Sequence, residues 1–262
     1  MVLSYAFCNV SVMPLKADPD HRSEQVSQAL FGERIEVLQV NNKEWAQVRC
    51  KWDDYTAWAK LSQLQLVSFK SYRKEVKYIT AAHQCKLILP NSEVLLPLGA
   101  ELFGLKQNKL LLGDVQAKFK GKKKVNAIDK TEKNNLINAA LQYLHAPYQW
   151  GGRSIMGIDC SGLSQMAFKL CGIAIPRDAA DQANQGELVD FLQNALCGDL
   201  AFFENADGKI VHVGILLDKD TIIHATDAGG KVVIDSIDPA GIISRSLKKR
   251  THQLRFVKRM IF

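Results

Sequence analysis

The hydrophobic pattern of this chain changes at about residue 125, and the change limits the folds that its 262 residues can adopt. Before that point the apolar residues form short β-favouring runs between turn residues, such as RIEVLQV, WAQVRC and KLLLG. Short strands at this spacing are typical of small β-barrels. After it, Leu136, Ala139 and Tyr143 follow the spacing of an amphipathic helix, with Thr131 as its N-cap residue. The sequence therefore predicts a β-rich half and then a half that begins with a helix.

The second half continues with one more helix and then only strands. A helical run from Leu163 to Cys171 follows a glycine-rich turn, and the chain ends in the strand-like runs LAFFE, KIVHVGILL, TIIHAT and KVVIDSI. Helices followed by consecutive strands indicate an α+β fold and disfavour a doubly wound nucleotide-binding fold. We predict a small β-barrel over residues 1–68, a second, degenerate barrel module with a linker over 69–125, and an α+β domain over 126–262.

Basic residues exceed acidic ones modestly and are concentrated in two runs. The chain has 34 Lys and Arg against 27 Asp and Glu, a net charge of +7. The runs are Lys118–Lys124 and Leu247–Arg259. Such runs can bind nucleic acid but more often form solvated loops. We therefore predict no nucleic-acid partner.

The N-terminal segment lacks the features of a secretory signal peptide. No basic residue precedes Lys16, and Asn9 and Ser11 interrupt the apolar run. The second residue is Val2, whereas N-myristoylation requires glycine there. No apolar segment approaches the length of a membrane span. These observations predict a cytoplasmic protein without a membrane partner.

Six cysteines are scattered without CxxC or metal-ligand spacing, so we predict no disulfide, no metal site and no cofactor. Cys160 differs from the others because Asp-Cys-Ser-Gly starts the second helix, where free N–H groups and the helix dipole favour a thiolate. His212 and His224 lie in successive predicted strands, which would place their imidazoles side by side. The remaining histidines, His252 among them, have no recognisable partner and are expected to be surface or capping residues.

Cysteine catalysis needs a base that holds the thiolate as an ion pair and later protonates the leaving amine, and a third polar group that fixes the tautomer and ring plane of this base. Cys160, His212 and His224 can fill these roles in that order. The alternative is a buried helix cysteine with two strand histidines satisfied in the core. The spacing alone is equally compatible with both interpretations.

A family resemblance favours the catalytic interpretation. The blocks PYQWGGRS, GIDCSGL, IPRDA, GDLAFF, VHVGI and IIHAT, in this order, resemble the NlpC family of peptidoglycan cysteine peptidases over about residues 130–262. The resemblance implies a papain-like fold reduced to its catalytic core. It implies that Cys160 is the nucleophile, His212 the general base and acid, and His224 the orienting third member. It also implies that the Tyr148 hydroxyl helps to bind the oxyanion, although without the family a core tyrosine would be favoured.

The N-terminal half resembles bacterial SH3 modules. The resemblance is carried by SVMPLKADPDHRSEQVSQALFGERIEVL and YTAWA, and a second segment fits the SH3 pattern more loosely. Enzymes with this arrangement resemble γ-D-glutamyl-L-diamino acid endopeptidases of the dipeptidyl-peptidase VI type. The implied substrate is a murein-derived peptide with a free N-terminal L-Ala, recycled in the cytoplasm. Two alternatives are a peptide-binding module with an inert catalytic domain, and an amidase or acyltransferase on the same fold. The resemblance leaves the diamino acid and the oligomeric state open.

The resemblance also suggests substrate contacts. Asp159 is either a helix N-cap or a carboxylate that pairs with the substrate ammonium, and both roles are compatible. In family members that require a free L-Ala, this Asp and the Ser after the nucleophile, here Ser161, contact the substrate. An acidic and an aromatic residue of the SH3 module close over the amine, and the candidates are Glu33 in the FGER turn and Tyr55 or Trp58. For each of these three, an ordinary barrel position is the alternative.

One position departs from the family pattern. Family members often have Pro-Arg-Asp-Ser after the nucleophile helix, whereas this chain ends that block with Ala179. A hydroxyl contact to the substrate is therefore missing, which affects recognition of D-Glu but not the chemistry. Arg177 and Asp178 are expected to form an internal ion pair that supports the site.

Overall fold

The computed structural model describes residues 1–42, 44–127 and 133–260 and has the predicted α+β fold. The chain divides into two compact units. The first comprises Met1–Ala127 with Arg153–Ile155, and the second comprises Ile128–Gly152 with Met156–Phe262. Thr131, the predicted N-cap, lies outside the described residues. None of the helices in the described ranges is long and apolar enough to cross a membrane.

The first unit begins with an antiparallel sheet of seven strands in the order β3-β2-β6-β5-β4-β1-β7. These strands are β1 (Ser4–Cys8), β2 (Val12–Lys16), β3 (Gln25–Leu30), β4 (Arg34–Val40), β5 (Trp45–Cys50), β6 (Thr56–Lys60) and β7 (Leu64–Val67). Alternation places one face of each strand in a shared apolar core, as in β6, where Ala57 and Ala59 are buried and Trp58 between them is not. A single turn of 3-10 helix (Leu61–Gln63) precedes β7, and helix α1 (Phe69–Tyr72) follows it.

A second, smaller β module completes the first unit. Its strands are β8 (Tyr78–Thr80), β9 (Cys85–Ile88), β10 (Glu93–Leu96), β11 (Lys109–Leu112), β12 (Val115–Lys120) and β13 (Lys123–Val125). Four of them form a sheet in the order β10-β9-β12-β11, and β8 pairs with β13. Phe31, in the turn after β3, joins the core of this module. The first unit also includes β14 (Arg153–Ser154), which contacts β3.

The lysine run Lys118–Lys124 is part of this module. Its residues lie mainly in β12 and β13, where Lys120 pairs with Lys86 and Lys124 pairs with Ile79. The lysine side chains are exposed, but Ala117 and Phe119 are buried. The expected solvated loop is therefore wrong, because buried neighbours and backbone pairing hold the solvated lysines in strands.

Gly32 shows how closely the two parts of the first unit approach. It has a φ of +79°, and a Cβ at this position would lie 1.9 Å from the carbonyl oxygen of Glu101. The Glu101 N–H donates to the Phe31 carbonyl at 2.9 Å. Only glycine combines this backbone conformation with so short a separation.

The second unit packs helices against a large antiparallel sheet. Its helices are α2 (Lys133–Leu141), α3 (Cys160–Leu170) and α4 (Ala179–Gln182), with a 3-10 turn at Leu192–Asn194. Its strands are β15 (Gly157–Ile158), β16 (Glu187–Val189), β17 (Leu200–Glu204), β18 (Ile210–Leu216), β19 (Thr221–Thr226), β20 (Lys231–Asp238), β21 (Gly241–Ser244) and β22 (Lys249–Arg259).

The large sheet has the order β16-β22-β17-β18-β19-β20-β21, and β21 also pairs with β22. This extra pairing closes strands β17 to β22 into a six-stranded barrel. Helix α3 is buried along its whole length and contacts β18 and β19. The basic run Leu247–Arg259, expected as a solvated loop, lies mostly in β22 because that strand is paired on both sides.

A buried ion pair lies inside the first unit. Both Arg153 and Glu33 have side chains that are only 2% exposed. Arg153 Nη1 and Nη2 lie 2.9 and 3.0 Å from the two Glu33 carboxylate oxygens. Arg153 also donates to the backbone and side-chain carbonyls of Gln28. The pair is therefore bidentate and surrounded by further hydrogen bonds, the arrangement in which a buried charge is tolerated.

Replacing Glu33 by Gln is expected to lower the free energy of unfolding by about 3–5 kcal/mol, because it leaves the Arg153 guanidinium buried without a counter-charge. Urea denaturation followed by circular dichroism measures the change. The matched control is Glu75→Gln, at an exposed position, for which a change within about 0.5 kcal/mol is expected. Equal effects of the two substitutions would contradict the assignment of Glu33 as a structural partner of Arg153.

Candidate active site

Cys160 is the first residue of helix α3 and lines a cavity of about 390 Å³. Asp159 precedes it in extended conformation and caps the helix, accepting a hydrogen bond from the Gly162 N–H at 2.7 Å. A Cβ at Gly162 would lie 2.2 Å from the Gly152 carbonyl oxygen. The Asp-Cys-Ser-Gly sequence therefore supplies both the cap and the close packing that present the thiol to the cavity.

Burial raises the pKa of the Cys160 thiol to about 12, and the neighbouring Asp159 carboxylate acts in the same direction. Backbone hydrogen bonds from Val213 and Ser161 and the Arg177 charge lower the pKa but do not compensate. Burial therefore opposes the thiolate that the helix start favours. Desolvation of the thiolate in this buried position outweighs the helix dipole.

His212 and His224 lie side by side, as expected from their positions in successive predicted strands. Strands β18 and β19 are antiparallel neighbours, and His212 Nε2 lies 2.9 Å from His224 Nδ1. The two rings are nearly perpendicular, at 83°. Both side chains are buried, and His212 lines the same cavity as Cys160. The structure thus brings together all three residues that the sequence indicated for catalysis.

Sequence reasoning missed Asp235, which lies in β20 next to His224. Its Oδ2 atom is 3.2 Å from His224 Nε2, and its Oδ1 atom accepts from the Arg245 N–H at 2.8 Å. Burial alone would raise its pKa, but the hydrogen bonds from His224 and Arg245 hold the pKa below the ordinary value. The available signal was an aspartate at an inward position of KVVIDSID, the strand after TIIHAT.

Asp235 determines the protonation of both imidazoles. An ionised carboxylate can only accept, so His224 Nε2 carries a proton and its Nδ1 is the acceptor. His212 Nε2 must then donate to His224 Nδ1, which leaves His212 Nδ1 with a free lone pair. Burial, followed by the nearby His252 and His224, holds the pKa of His212 well below 6.5. His212 is therefore a neutral base with its accepting nitrogen defined.

His252 is a residue whose location the sequence reasoning predicted wrongly. It was expected on the surface or at a cap, yet its ring stacks on His212 with centroids 4.0 Å apart and planes at 21°. Its ring also meets His224 edge-on, with centroids 5.7 Å apart. Strand β22 carries it to the cavity wall because the barrel closes there. No motif or short spacing connects His252 to His212, so the sequence contained no usable signal.

The three imidazoles offer ring nitrogens within 4.8 Å of one another, a separation that a metal ion could bridge. Both His224 nitrogens, however, already take part in hydrogen bonds. The His212 and His252 rings are stacked, so their lone pairs lie in nearly parallel planes and cannot converge on one ion without ring rotation. The cluster is better explained as an acid–base network than as a metal centre.

Tyr148 lies in the cavity wall with Cys160. Burial, then the nearby Cys160, Asp159 and Asp227, raise the pKa of its hydroxyl. The hydroxyl therefore stays protonated and can donate a hydrogen bond into the cavity. This is the property that an oxyanion-binding group requires.

Asp159, Ser161 and Arg177 form a buried polar cluster behind the nucleophile. Arg177 Nη2 donates to Asp159 Oδ2 at 2.6 Å, and Arg177 Nη1 donates to Ser161 Oγ at 2.8 Å. Asp159 Oδ2 also accepts from the Gly151 N–H at 2.8 Å. The ion pair that the structure describes for Arg177 is thus with Asp159. Arg177 thus contacts the residues on either side of Cys160 and stabilises the start of helix α3.

The SH3 candidates belong to the first unit. Glu33 is buried and paired with Arg153. Tyr55 packs partly against the apolar core of the first sheet. Trp58 lies on the outer side of β6, in register with Lys16 of β2 and Gln47 of β5.

Two sequence models of known domains match the chain. The model of the NlpC/P60 family matches residues 145–251. The model of the bacterial dipeptidyl-peptidase Sh3 domain matches residues 15–64. The first range contains Cys160, His212 and His224.

Among curated proteins, the chain is similar to the gamma-D-glutamyl-L-lysine dipeptidyl-peptidase of Bacillus subtilis, with 30% identity over 225 residues, 79% of this chain and 74% of the relative. The Bacillus cereus protein of the same name is 36% identical over 120 residues, 45% of this chain and 36% of the relative. A crystal structure of an NlpC/P60 family protein from Bacillus cereus has the same fold, with a TM-score of 0.83, 22% identity and coverage of 99% of this chain and 100% of that one.

These matches confirm the predicted fold class, a papain-like NlpC domain preceded by SH3-like barrels. They also confirm the family resemblance that was drawn from the catalytic blocks. The chain belongs to the NlpC/P60 family, with a bacterial dipeptidyl-peptidase SH3 domain ahead of its peptidase domain.

Proposed function

We propose that this protein is a cysteine endopeptidase that cuts the γ-D-Glu to diamino acid bond of free L-Ala-γ-D-Glu-diamino acid peptides, for murein recycling in the cytoplasm. One observation carries the proposal: Cys160 and His212 line one cavity, and His212 is hydrogen-bonded to His224, which is bonded to Asp235. The names of the Bacillus relatives support the class of bond.

The reaction begins with a neutral thiol and a neutral imidazole. As Cys160 Sγ attacks the γ-carbonyl carbon, its proton passes to His212 Nδ1, the nitrogen left free by the hydrogen bond to His224. The carbonyl oxygen becomes an oxyanion, which accepts from the Tyr148 hydroxyl and from the Cys160 backbone N–H. Each such donor contributes about 2.7–4 kcal/mol to transition-state stabilisation in other acyl-transfer enzymes.

Collapse of the tetrahedral intermediate releases the diamino acid. The C–N bond breaks, and the amine nitrogen takes the proton from His212 Nδ1, which leaves L-Ala-γ-D-Glu bound to Cys160 as a thioester. A water molecule then gives its proton to His212 and attacks the thioester carbonyl. The C–S bond then breaks and the sulfur takes the proton back from His212, so the products are L-Ala-γ-D-Glu and the free thiol.

Substrate recognition would involve groups that already have internal partners. Asp159 and Ser161 are candidate contacts, with the Asp159 charge balanced by Arg177. Glu33, with Tyr55 or Trp58, is the candidate for the L-Ala ammonium. Because Arg153 donates to both Glu33 oxygens and the Leu30 N–H donates to Oε2, an ammonium would have to share that carboxylate with these donors.

The Cys160→Ala variant is expected to remain folded and to lose at least about 10³-fold in hydrolysis, since no other group supplies the nucleophile. Mass spectrometry of L-Ala-γ-D-Glu-meso-diaminopimelate and of the L-Lys peptide measures turnover. Cys197→Ala, away from the cavity lining, is the matched control and should keep its activity. Hydrolysis by Cys160→Ala would refute the mechanism, and binding without turnover by the unmodified protein would favour the peptide-binding alternative.

The raised pKa of Cys160 predicts a specific pH dependence of its alkylation. Below a pKa of about 12, the thiolate fraction grows about tenfold per pH unit, so the rate of reaction with iodoacetamide should rise steeply between pH ~7 and ~9. Quantifying the Cys160 peptide after timed alkylation gives the rate. A rate that is already constant below pH ~8 would contradict a resting thiol and indicate a thiolate.

Specificity for a free amine is tested by blocking the alanine. With an N-acetylmuramoyl group on L-Ala, we expect kcat/KM to fall by about 10²-fold or more, because a site built to pair an ammonium loses that interaction and must also admit the block. The comparison uses the same peptide with and without the block. Equal cleavage of both peptides would refute the free-amine requirement and favour hydrolysis of intact wall peptides.

A further inference from the structure

His252 stacks on one face of the His212 ring, and the proposed chemistry depends on that ring. Its imidazole lies 4.0 Å from that of His212, centroid to centroid, and the planes differ by 21°. Phe203 contacts both rings, at 5.5 Å from His212 and 5.9 Å from His252. Phe203 thus lies beside the stacked pair, and the His252 imidazole covers one face of His212.

A hydrogen bond alone would not define the plane of the His212 ring. The bond between His212 Nε2 and His224 Nδ1 locates one atom, but the ring can still turn about the line joining the two nitrogens. Such a turn would swing Nδ1 away from the Cys160 thiol. A flat group stacked on the face of the ring opposes that rotation, because turning would break the stacking contact.

The position of His252 is itself well defined. Its backbone is paired with Ile242 of β21 in the closed barrel. Its Nδ1 atom lies 2.9 Å from the Thr251 hydroxyl oxygen. The edge-on contact with His224 restricts the ring on a further side. His252 can therefore act as a fixed surface for His212.

We propose that His252 is a positioning residue, whose stacked ring holds the His212 imidazole in the plane that directs Nδ1 to Cys160 and Nε2 to His224. The proposal rests on the proposed function in one respect, the role of His212 as the base. It assigns to the ring of His252 a steric role that another flat side chain can perform, and it requires no contact between His252 and the substrate.

The charge state of His252 suits this role. Burial, then the neighbouring His224, lower its pKa to about 4, while Asp235 acts in the opposite direction. The other groups near it are His212 in the stack and, along the cavity wall, Asp227, Lys249 and Arg250. His252 is consequently neutral near pH 7, and the stack brings no second cation against a protonated His212.

The test compares His252→Phe with His252→Ala. Phenylalanine keeps a flat ring, so kcat should stay within about threefold of the unmodified enzyme, whereas alanine should lower kcat by about 3- to 10-fold with KM unchanged. His21→Ala, an exposed histidine of the first unit, is the control. Thermal melting and near-ultraviolet circular dichroism establish that each variant is folded.

The pH profile separates positioning from general destabilisation. His252 is one of the groups that lower the pKa of His212, so its removal should raise that pKa and move the acid limb of kcat/KM to higher pH in both variants. An unchanged kcat in His252→Ala would overturn the proposal. So would a folded His252→Phe variant as impaired as His252→Ala.

A failure of the proposed function can be distinguished from a failure of the positioning proposal by a measurement that needs no peptide substrate. Alkylation of Cys160 by iodoacetamide needs no peptide substrate but does respond to proton acceptance by His212. A lower alkylation rate at pH 7 in His252→Ala, restored in His252→Phe, supports positioning even where the unmodified protein leaves every murein peptide uncut. Equal alkylation rates in all three proteins overturn it.

Discussion

The hydrogen bond between Asp235 and His224 is the interaction on which the chemistry of the site depends. The carboxylate is ionised and can only accept, so it sets the tautomer of His224 and, through it, that of His212. If His224 Nδ1 were instead the donor to His212 Nε2, the proton of His212 would lie on Nδ1. His212 would then have no lone pair left to accept the thiol proton. The third residue of the expected triad, His224, is therefore an intermediary, and the group that orients it lies one strand further along the sheet.

At Cys160 the helix dipole and the desolvation caused by burial act on the thiol pKa in opposite directions. Helix α3 begins at Cys160, and its dipole favours a thiolate, yet desolvation raises the pKa of the thiol. Burial lowers the pKa of His212 as well. Both shifts favour the uncharged pair, so in the proposed reaction the proton is transferred only when the substrate is bound and its oxyanion can share the developing charge. The neighbouring Asp159 carboxylate would repel a thiolate, and its pairing with Arg177 reduces that repulsion.

Much of this arrangement could be predicted from local patterns. Cys160 follows an N-cap aspartate, and His212 and His224 lie on successive strands of a hairpin, so short-range rules were sufficient to bring them together. His252 was beyond such rules because its contact with His212 depends on barrel closure between β21 and β22. The lysines of Lys118–Lys124 were misplaced for a related reason. Their composition indicates solvent exposure, which is correct, but the pairing of β13 with β8 involves residues more than forty positions apart.

The charge balance of the cluster explains why three imidazoles can share one buried site. Asp235 supplies one negative charge, and it reaches His212 through His224, so one imidazolium can be compensated when the thiol proton is transferred. A second cation, on His252, would face His212 across the stack, where Asp235 is already hydrogen-bonded to His224. The low pKa of His252 keeps that charge absent at neutral pH. The stacked ring can therefore support the base without competing for the proton that the base must carry.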